Sequence, residues 1–486
     1  MKAIVVLMDS LNRHFLPAYG NDWVQTPNID RFAAQSVVCD NHWIGSAPCM
    51  PARRDMLTGR MHFLERGWGG LEPYDITLPK LLRDAGVYCR METDHYHYFH
   101  VGGENYHTPF SSWALYRGQE NDVCAGVIQD PARPEHLGKW SPQYEKNRGR
   151  FESDADYPSP LTFAGAARWL RENEDADNYM LWVEAFDPHE PFDTPAEFLA
   201  LYEDDAWDGP HYNWSGYEPV EGDSPATQHL RRQYAATLTM LDKWFGHLLD
   251  EVERQGGLED TLIILTTDHG HMLGEHDCTG KNRWHVWNEM AHIPLAVHLP
   301  GSRGAGERRT QLTQNIDLMP TLLEFFDISP GDAPLQGESW LAMLRDNAPL
   351  QREAAIYGWF GQTVNVTDGR YTYLRAPAAA DNQPLDTHFI MPTSYSQHDL
   401  PPPSRFMQGA ELGTFLPYTD CPVLRKALGR GRSEEWAETR LYDIEADPGQ
   451  ANNLAGTEKE AHYIELLKGA LEQMDAPASQ YKRLGL

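Results

Sequence analysis

Short apolar, β-branched runs alternate with longer stretches of helical character along the first part of the chain. Ala3–Met8 (AIVVLM) is one such run, and it stops at Asp9. Tyr179–Phe186 (YMLWVEAF) is a second and leads into Asp187-Pro188-His189. Thr261–Thr267 (TLIILTT) carries the strongest strand signal and ends on Asp268-His269-Gly270. Helices are predicted between them at Pro27–Gln35, Leu78–Ala85, Pro160–Asn173 and Thr227–Gln255. Strands alternating with helices predict an α/β fold, with a large, mainly parallel mixed sheet covered by helices on both faces.

From about Ala355 the pattern changes. Ala355–Phe360, Gln362–Val366 and Arg370–Leu374 read as short antiparallel strands, with a turn at Asp368-Gly369. A Pro- and Ser-rich stretch, Ala376–Leu416, is expected to be a long loop. Leu441-Tyr442-Asp443 and a last helix near Glu458–Met474 follow. These features predict a catalytic domain over residues 1–354 and a small α+β domain with an antiparallel sheet over 355–486.

The length of 486 residues and an apolar share of 41% allow a sizeable core and two or three domains. Charge narrows the partners. With 41 Lys plus Arg against 71 Asp plus Glu, the formal charge is −30, which disfavours nucleic acid and anionic membranes. An anionic substrate would then need a local cluster of cations. The N-terminal MKAIVVLMDS lacks a small-residue cleavage site and is read as a strand, not a signal peptide. No run approaches the ~18 apolar residues of a membrane span. Six scattered cysteines (39, 49, 89, 124, 278, 421) form no CxxC pair, so a reduced cytoplasm is the expected home.

Ligands collect at the carboxyl ends of strands in open α/β sheets. Asp9, His189 and Asp268-His269 all follow predicted strands. Each alone has a plain explanation as a cap, turn or satisfied core residue. Together they could hold a hard divalent cation through oxygen, and the His also admits Mn²⁺ or Zn²⁺. A second element is Ser46-Ala47-Pro48-Cys49-Met50-Pro51-Ala52-Arg53. Pro51 suits the first turn of a helix, which puts Cys49 at an N-terminus that favours an anion. Arg53 falls one turn on, on the same face. A buried Cys beside a helix start is the structural alternative.

Cys49-Met50-Pro51-Ala52-Arg53, continued by Leu57-Thr58-Gly59-Arg60, resembles the C-x-P-x-R signature of the sulfatase family. Thr26-Pro27-Asn28-Ile29-Asp30-Arg31 resembles its TPNIDRL segment, and Asp187-Pro188-His189-Glu190-Pro191-Phe192 its PHxPF segment. Thr267-Asp268-His269-Gly270-His271-Met272-Leu273-Gly274-Glu275-His276 resembles its SDHGxxLGEH segment. Lys281, Glu289, Ile293-Pro294 and Leu441-Tyr442-Asp443 follow in order, so the resemblance spans nearly the whole chain. It implies the alkaline-phosphatase-like fold and hydrolysis of a sulfate ester, of a sugar or a small aryl or alkyl compound. It also implies a nucleophile made by a formylglycine-generating maturation enzyme, which oxidises Cys49 to formylglycine. One divalent metal is implied, Ca²⁺ before Mn²⁺, on Asp9, Asp268, His269 and the modified Cys49.

The roles that follow from the resemblance are Arg53 holding the diol, Lys281 neutralising the anion and His189 protonating the leaving oxygen. His95 binds the anion or assists diol breakdown. Thr93, His97 and Tyr98 are the expected substrate-binding residues, His95–His100 being either an aromatic pocket or a loop packed on the sheet edge. The sequence also departs from the family. Asp9 is followed by Ser10, Asp268 by His rather than Asn, and Thr93 stands where a Gly-Lys-x-His segment has Lys. An Asp/Asp/His set with a Thr is similar to phosphonate monoester hydrolases, so a phosphonate monoester or phosphodiester is the alternative substrate. Homo-oligomerisation is left open.

Overall fold

The computed structural model describes residues 1–202, 207–392 and 407–486. Its strands, in chain order, are β1 (Lys2–Met8), β2 (Val37–Trp43), β3 (Ser46–Ala47), β4 (Tyr88–Thr93), β5 (Ser112–Leu115), β6 (Tyr179–Ala185), β7 (Thr261–Thr266), β8 (Met272–Leu273), β9 (Thr279–Gly280) and β10 (His292–His298). After these come β11 (Arg308–Arg309), β12 (Thr313–Gln314), β13 (Ala355–Trp359), β14 (Val364–Thr367), β15 (Tyr371–Arg375), β16 (Asp386–Phe389), β17 (Glu411–Gly413), β18 (Val423–Ala427) and β19 (Arg440–Asp443).

The main sheet has nine strands in the order β11-β2-β10-β7-β1-β6-β4-β5, with β12 also on β2. β7, β1, β6, β4 and β5 are parallel, and β10 runs against both of its neighbours. Side chains alternate between two cores. Ile4, Val6 and Met8 join one face, with Leu181, Val183, Ile263 and Leu265. Ala3, Val5 and Leu7 join the other, with Met180, Trp182, Leu262 and Ile264. Burial on both faces is why these strands read as unbroken apolar runs. The long helix Pro225–Arg254 and the helix Pro158–Glu172 pack on the first face. On the second lie α2 (Cys49–Thr58) and the helix Leu318–Phe325; α1, Pro27–Ala34, packs on the first.

A five-stranded sheet, β19-β15-β14-β13-β3, is antiparallel except where β3 joins β13. Its edge strand therefore comes from the segment just before Cys49. A third sheet, β16-β18-β17, is antiparallel. β16 and β17 lie inside the stretch expected to be a loop. They are four and three residues long and among the described residues pair only with β18, so no local period announces them. Residues 393–406 of that expected loop lie outside the described residues. The last helix spans Glu460–Gln473, and a further helix, Ala478–Leu484, closes the chain. Among the described residues no helix is long and apolar enough to cross a membrane.

Candidate active site

Three neighbouring parallel strands end together. Met8 of β1 stands beside Ala185 of β6, and Leu7 beside Thr266 of β7. The Asp9 N–H then bonds the Ala185 carbonyl at 3.0 Å. This register delivers Asp9, Asp268 and His269 to one sheet edge. β4, alongside β6, brings Thr93 and His95 to the same level.

Cys49 arrives from the other direction, at the first turn of α2. Pro48 is the cap, and α2 ends at Gly59, whose positive φ of 63° lets its N–H reach the Asp55 carbonyl at 2.8 Å. A Cβ at Gly59 would meet Leu335 Cδ2 at 2.7 Å, so a side chain there would both push Leu335 aside and strain the left-handed backbone. Asp55 also ties α2 back to β3. Its carboxylate accepts from the Ser46 N–H at 2.6 Å and pairs with His62 Nδ1 at 2.9 Å. The strand-turn-helix presenting Cys49 is thus braced at both ends.

Asp9, Cys49, Asp268 and His269 each offer one ligand-type atom, and these atoms lie within 4.8 Å of one another. His269 Nδ1 faces the Gly270 carbonyl at 2.7 Å, which puts the hydrogen on Nδ1. Nε2 is left as the free lone pair, 3.2 Å from Cys49 Sγ. Such a backbone partner is the usual way a ligating His is oriented. Both ring nitrogens of His95 are buried without a hydrogen-bond partner, and Nε2 stands 3.6 Å from Asp9. The donor set fits a divalent cation.

Arg53 is fully buried and gives its three donor groups to carboxylates: Asp9 at 2.8 Å, Asp268 at 2.5 Å and Glu184 at 2.5 Å. All three donor groups face these acids. Lys281 Nζ is 3.1 Å from Ser10 Oγ, 3.8 Å from Cys49 Sγ, 3.9 Å from Glu190 and 4.0 Å from Asp9. Burial opposes ionisation of Asp9, but Arg53, His189, His95 and Lys281 together hold its carboxyl well below the usual range. Burial, and then the Asp9 carboxylate, push the Cys49 thiol well above its ordinary value.

His189 follows β6. Its Nδ1 is 2.5 Å from the Glu190 carbonyl and 3.4 Å from the Glu190 carboxylate. That leaves Nε2 available, and burial lowers its pKa against the pull of Glu190. Thr93 is buried, and its hydroxyl accepts from the His95 N–H at 3.0 Å. His97 packs edge-on against Trp68, ring centroids 5.3 Å apart. Tyr98 is buried on Tyr106 and donates its hydroxyl to Glu184 at 2.7 Å.

Glu184 and Glu190 were not singled out from the sequence. Glu184 is the one acidic residue in the apolar run YMLWVEAF, a signal that could have found it, because a buried charge needs a partner. Glu190 carries a buried carboxylate oxygen with no hydrogen-bond partner, 3.5 Å from His271 Nδ1, and accepts from the Tyr217 hydroxyl. Nothing in its sequence context predicts that position.

A parallel-rich sheet brings two acids, a His and a helix-borne Cys to one strand edge, a donor set that could hold a metal ion. The sulfatase family model matches residues 2–328, two thirds of the chain, and the protein belongs to that family. It is a sulfuric ester hydrolase of the alkaline phosphatase superfamily. A choline-sulfatase of Rhizobium meliloti is 25% identical over 421 residues, covering 76% of this chain and 77% of that protein. A structure solved with its substrate D-glucosamine-2-N,6-O-disulfate shares the fold with a TM-score of 0.70, 17% identity and 99% coverage of both chains. A phosphonate monoester hydrolase of Agrobacterium radiobacter shares it with a TM-score of 0.68 and 18% identity, covering 98% of this chain and 95% of that one.

Proposed function

We propose that the protein hydrolyses the sulfate ester of a small molecule, a sugar or an aryl or alkyl sulfate, with formylglycine made from Cys49 as the nucleophile. The observation that carries this is the meeting of Cys49 Sγ with His269 Nε2 and Lys281 Nζ beside Asp9 and Asp268. A thiol that burial keeps protonated is a poor nucleophile. An aldehyde hydrate at this carbon supplies two hydroxyls, one to attack sulfur and one to re-form the aldehyde and expel sulfate. Asp9, Asp268, His269 and the modified residue 49 would hold a divalent cation, Ca²⁺ in first place, which supplies charge neutralisation and acidifies the attacking hydroxyl.

The chain's own groups divide the rest. Lys281 takes up charge on the non-bridging oxygens. His189, doubly protonated with its Nδ1 hydrogen held by the Glu190 carbonyl, donates its Nε2 proton to the leaving oxygen. His95, whose Nδ1 has no partner and whose Nε2 stands 3.6 Å from Asp9, is available to bind the anion or to take the proton from the second hydroxyl. Arg53 balances Asp9, Asp268 and Glu184, and Tyr98 steadies Glu184. Thr93 orients the His95 backbone, and His97 packs on Trp68.

Peptide mass spectrometry across Cys49, on protein from a host supplying the maturation enzyme, tests the nucleophile. A loss of about 18 Da is expected on conversion; an unmodified thiol in an active preparation would overturn the reading. His189→Ala should slow alkyl sulfates far more than 4-nitrophenyl sulfate, on the order of 10²–10⁴-fold, because a nitrophenolate leaves without a proton. Equal losses on both esters would remove His189 from that role. Asp268→Asn should lower bound metal, read by elemental analysis, and an unchanged metal content would refute that ligand.

A second reading is favoured by the Asp/Asp/His donor set and by Thr93: hydrolysis of a phosphonate monoester or phosphodiester at the same centre. Comparing 4-nitrophenyl sulfate with bis(4-nitrophenyl) phosphate, each with Ca²⁺ and Mn²⁺, separates the two. Faster sulfate turnover with Ca²⁺ supports the first reading, and faster phosphate turnover with Mn²⁺ the second.

A further inference from the structure

His95 follows β4 and His189 follows β6, so the spacing of these two imidazoles depends on how the two strand ends are joined. One buried carboxylate joins them. Asp94, between Thr93 and His95, is fully buried and makes no ion pair among the described residues. Its Oδ1 accepts from the Phe186 N–H at 2.7 Å. Its Oδ2 accepts from the Ser159 hydroxyl at 2.6 Å and from Gln119 Nε2 at 2.9 Å. Ser159 lies in the first turn of the helix Pro158–Glu172, and its Oγ also accepts from the Asp187 N–H at 3.1 Å. Gln119, beyond the end of β5, also donates to Asp187 Oδ1 at 3.2 Å. The ends of β4 and β6, the start of a helix and the segment after β5 are therefore tied at one point.

Burial pushes the Asp94 carboxyl up to about 7 against the pull of these donors. A buried carboxyl without a cation is costly, and here three donors offset that cost. The network also places a particular ring. Phe186, whose N–H is the group that Asp94 holds, is fully buried. Its ring centroid lies 4.2 Å from that of His189 and 5.4 Å from that of His95. His95 stands beside Asp9, and His189 serves the leaving oxygen. Groups that act on the two ends of one displacement must keep a fixed separation, because a shift of about 1 Å can cost on the order of 10²-fold in rate.

We propose that Asp94, with Ser159 and Gln119, is a positioning residue that fixes His189 against His95 through the Phe186 backbone, so that His189 meets the leaving oxygen. The proposal rests on the reading of His189 as the proton donor.

The test is steady-state turnover of phenyl sulfate and 4-nitrophenyl sulfate by metal-loaded, full-length enzyme carrying the modified residue 49. A phenoxide, with a pKa of about 10, needs a proton to leave well, and a nitrophenolate does not. Asp94→Ala should lower kcat on phenyl sulfate by roughly tenfold or more and on 4-nitrophenyl sulfate by less than about twofold, with KM unchanged on both. Asp94→Asn keeps an oxygen for the Phe186 N–H and should recover most of the phenyl sulfate rate. Should Asp94→Ala fail to fold, Ser159→Ala, which removes a single hydroxyl, should show the same preference at about threefold. In a His189→Ala background neither variant should slow phenyl sulfate further, because residues acting through one group are not additive. Equal losses on both esters, no loss, a loss that persists without His189, or an Asp94→Asn variant as slow as Asp94→Ala overturns the proposal. His189→Ala alone checks the reading of the proton donor. If it slows both esters equally, the donor is misassigned and the proposal falls with it. If it keeps its preference for slowing phenyl sulfate while the Asp94 and Ser159 variants show none, only the positioning role falls.

Discussion

Cys49→Ala is expected to abolish turnover of every ester while leaving the fold intact. The side chain lost is small, and its helix is held by bonds that do not involve the thiol: Asp55 to Ser46 and His62, and Gly59 to the Asp55 carbonyl. The thermal midpoint should therefore stay within a few degrees, as for a modest volume change in a braced segment. Loss of a covalent nucleophile typically costs many orders of magnitude, on the order of 10⁶ where it has been measured in other hydrolases. Cys49→Ser separates nucleophilicity from release. A single hydroxyl can accept a sulfuryl group but has no second hydroxyl to expel it. The Ser variant should give one stoichiometric burst and then stall, with an added mass of about 80 Da on the residue 49 peptide, as expected for a trapped sulfate ester. Normal steady-state turnover by the Ser variant would sink the hydrate mechanism. Full activity of the Ala variant would remove Cys49 from the chemistry.

Arg53→Met should have the largest effect on stability. The guanidinium is the shared counter-charge for Asp9, Asp268 and Glu184, all fully buried. Removing one partner of a buried ion pair costs about 3–5 kcal/mol, because the remaining charge keeps its desolvation penalty. Urea denaturation of metal-free protein should show that loss. The pH dependence should also reverse. In the native chain the depressed pKa of Asp9 contributes stability above the unfolded carboxyl value, about pH 4, and that stability is lost as pH falls through the folded value. Without Arg53, burial dominates and raises the folded value. The variant should then lose stability as pH rises through the carboxyl range, and a divalent cation should restore part of it. An unchanged urea midpoint at neutral pH would show that the three acids do not depend on Arg53.

The local chemistry was legible where it sits in short contiguous runs. β1, β6 and β7 fell within a residue or two of their expected positions, because strands buried on both faces leave continuous apolar runs. Asp9 and Asp268-His269 stand where those runs stop, and strand ends are where a parallel sheet places ligands. The first turn of α2 was legible from Pro51, and Arg53 from its helical spacing to Cys49.

Other features were not legible because their partners are distant in sequence. Glu184 lies 131 residues from Arg53, and no local pattern links them. Ser46–Ala47 looks like a loop until β13 arrives to pair with it. β16 and β17 exist because β18 offers its edges, which weak local propensity cannot foretell. The amino-acid sequence thus determined the strands and the motif residues at their ends, since both are written in short-range periodicity and motif spacing. Tertiary structure alone decided that Arg53 faces three acids and that Glu190 lies between His189, His271 and Lys281. Each of these depends on which segments pack together across the sheet edge, and side-chain contacts of that range carry no signature along the chain.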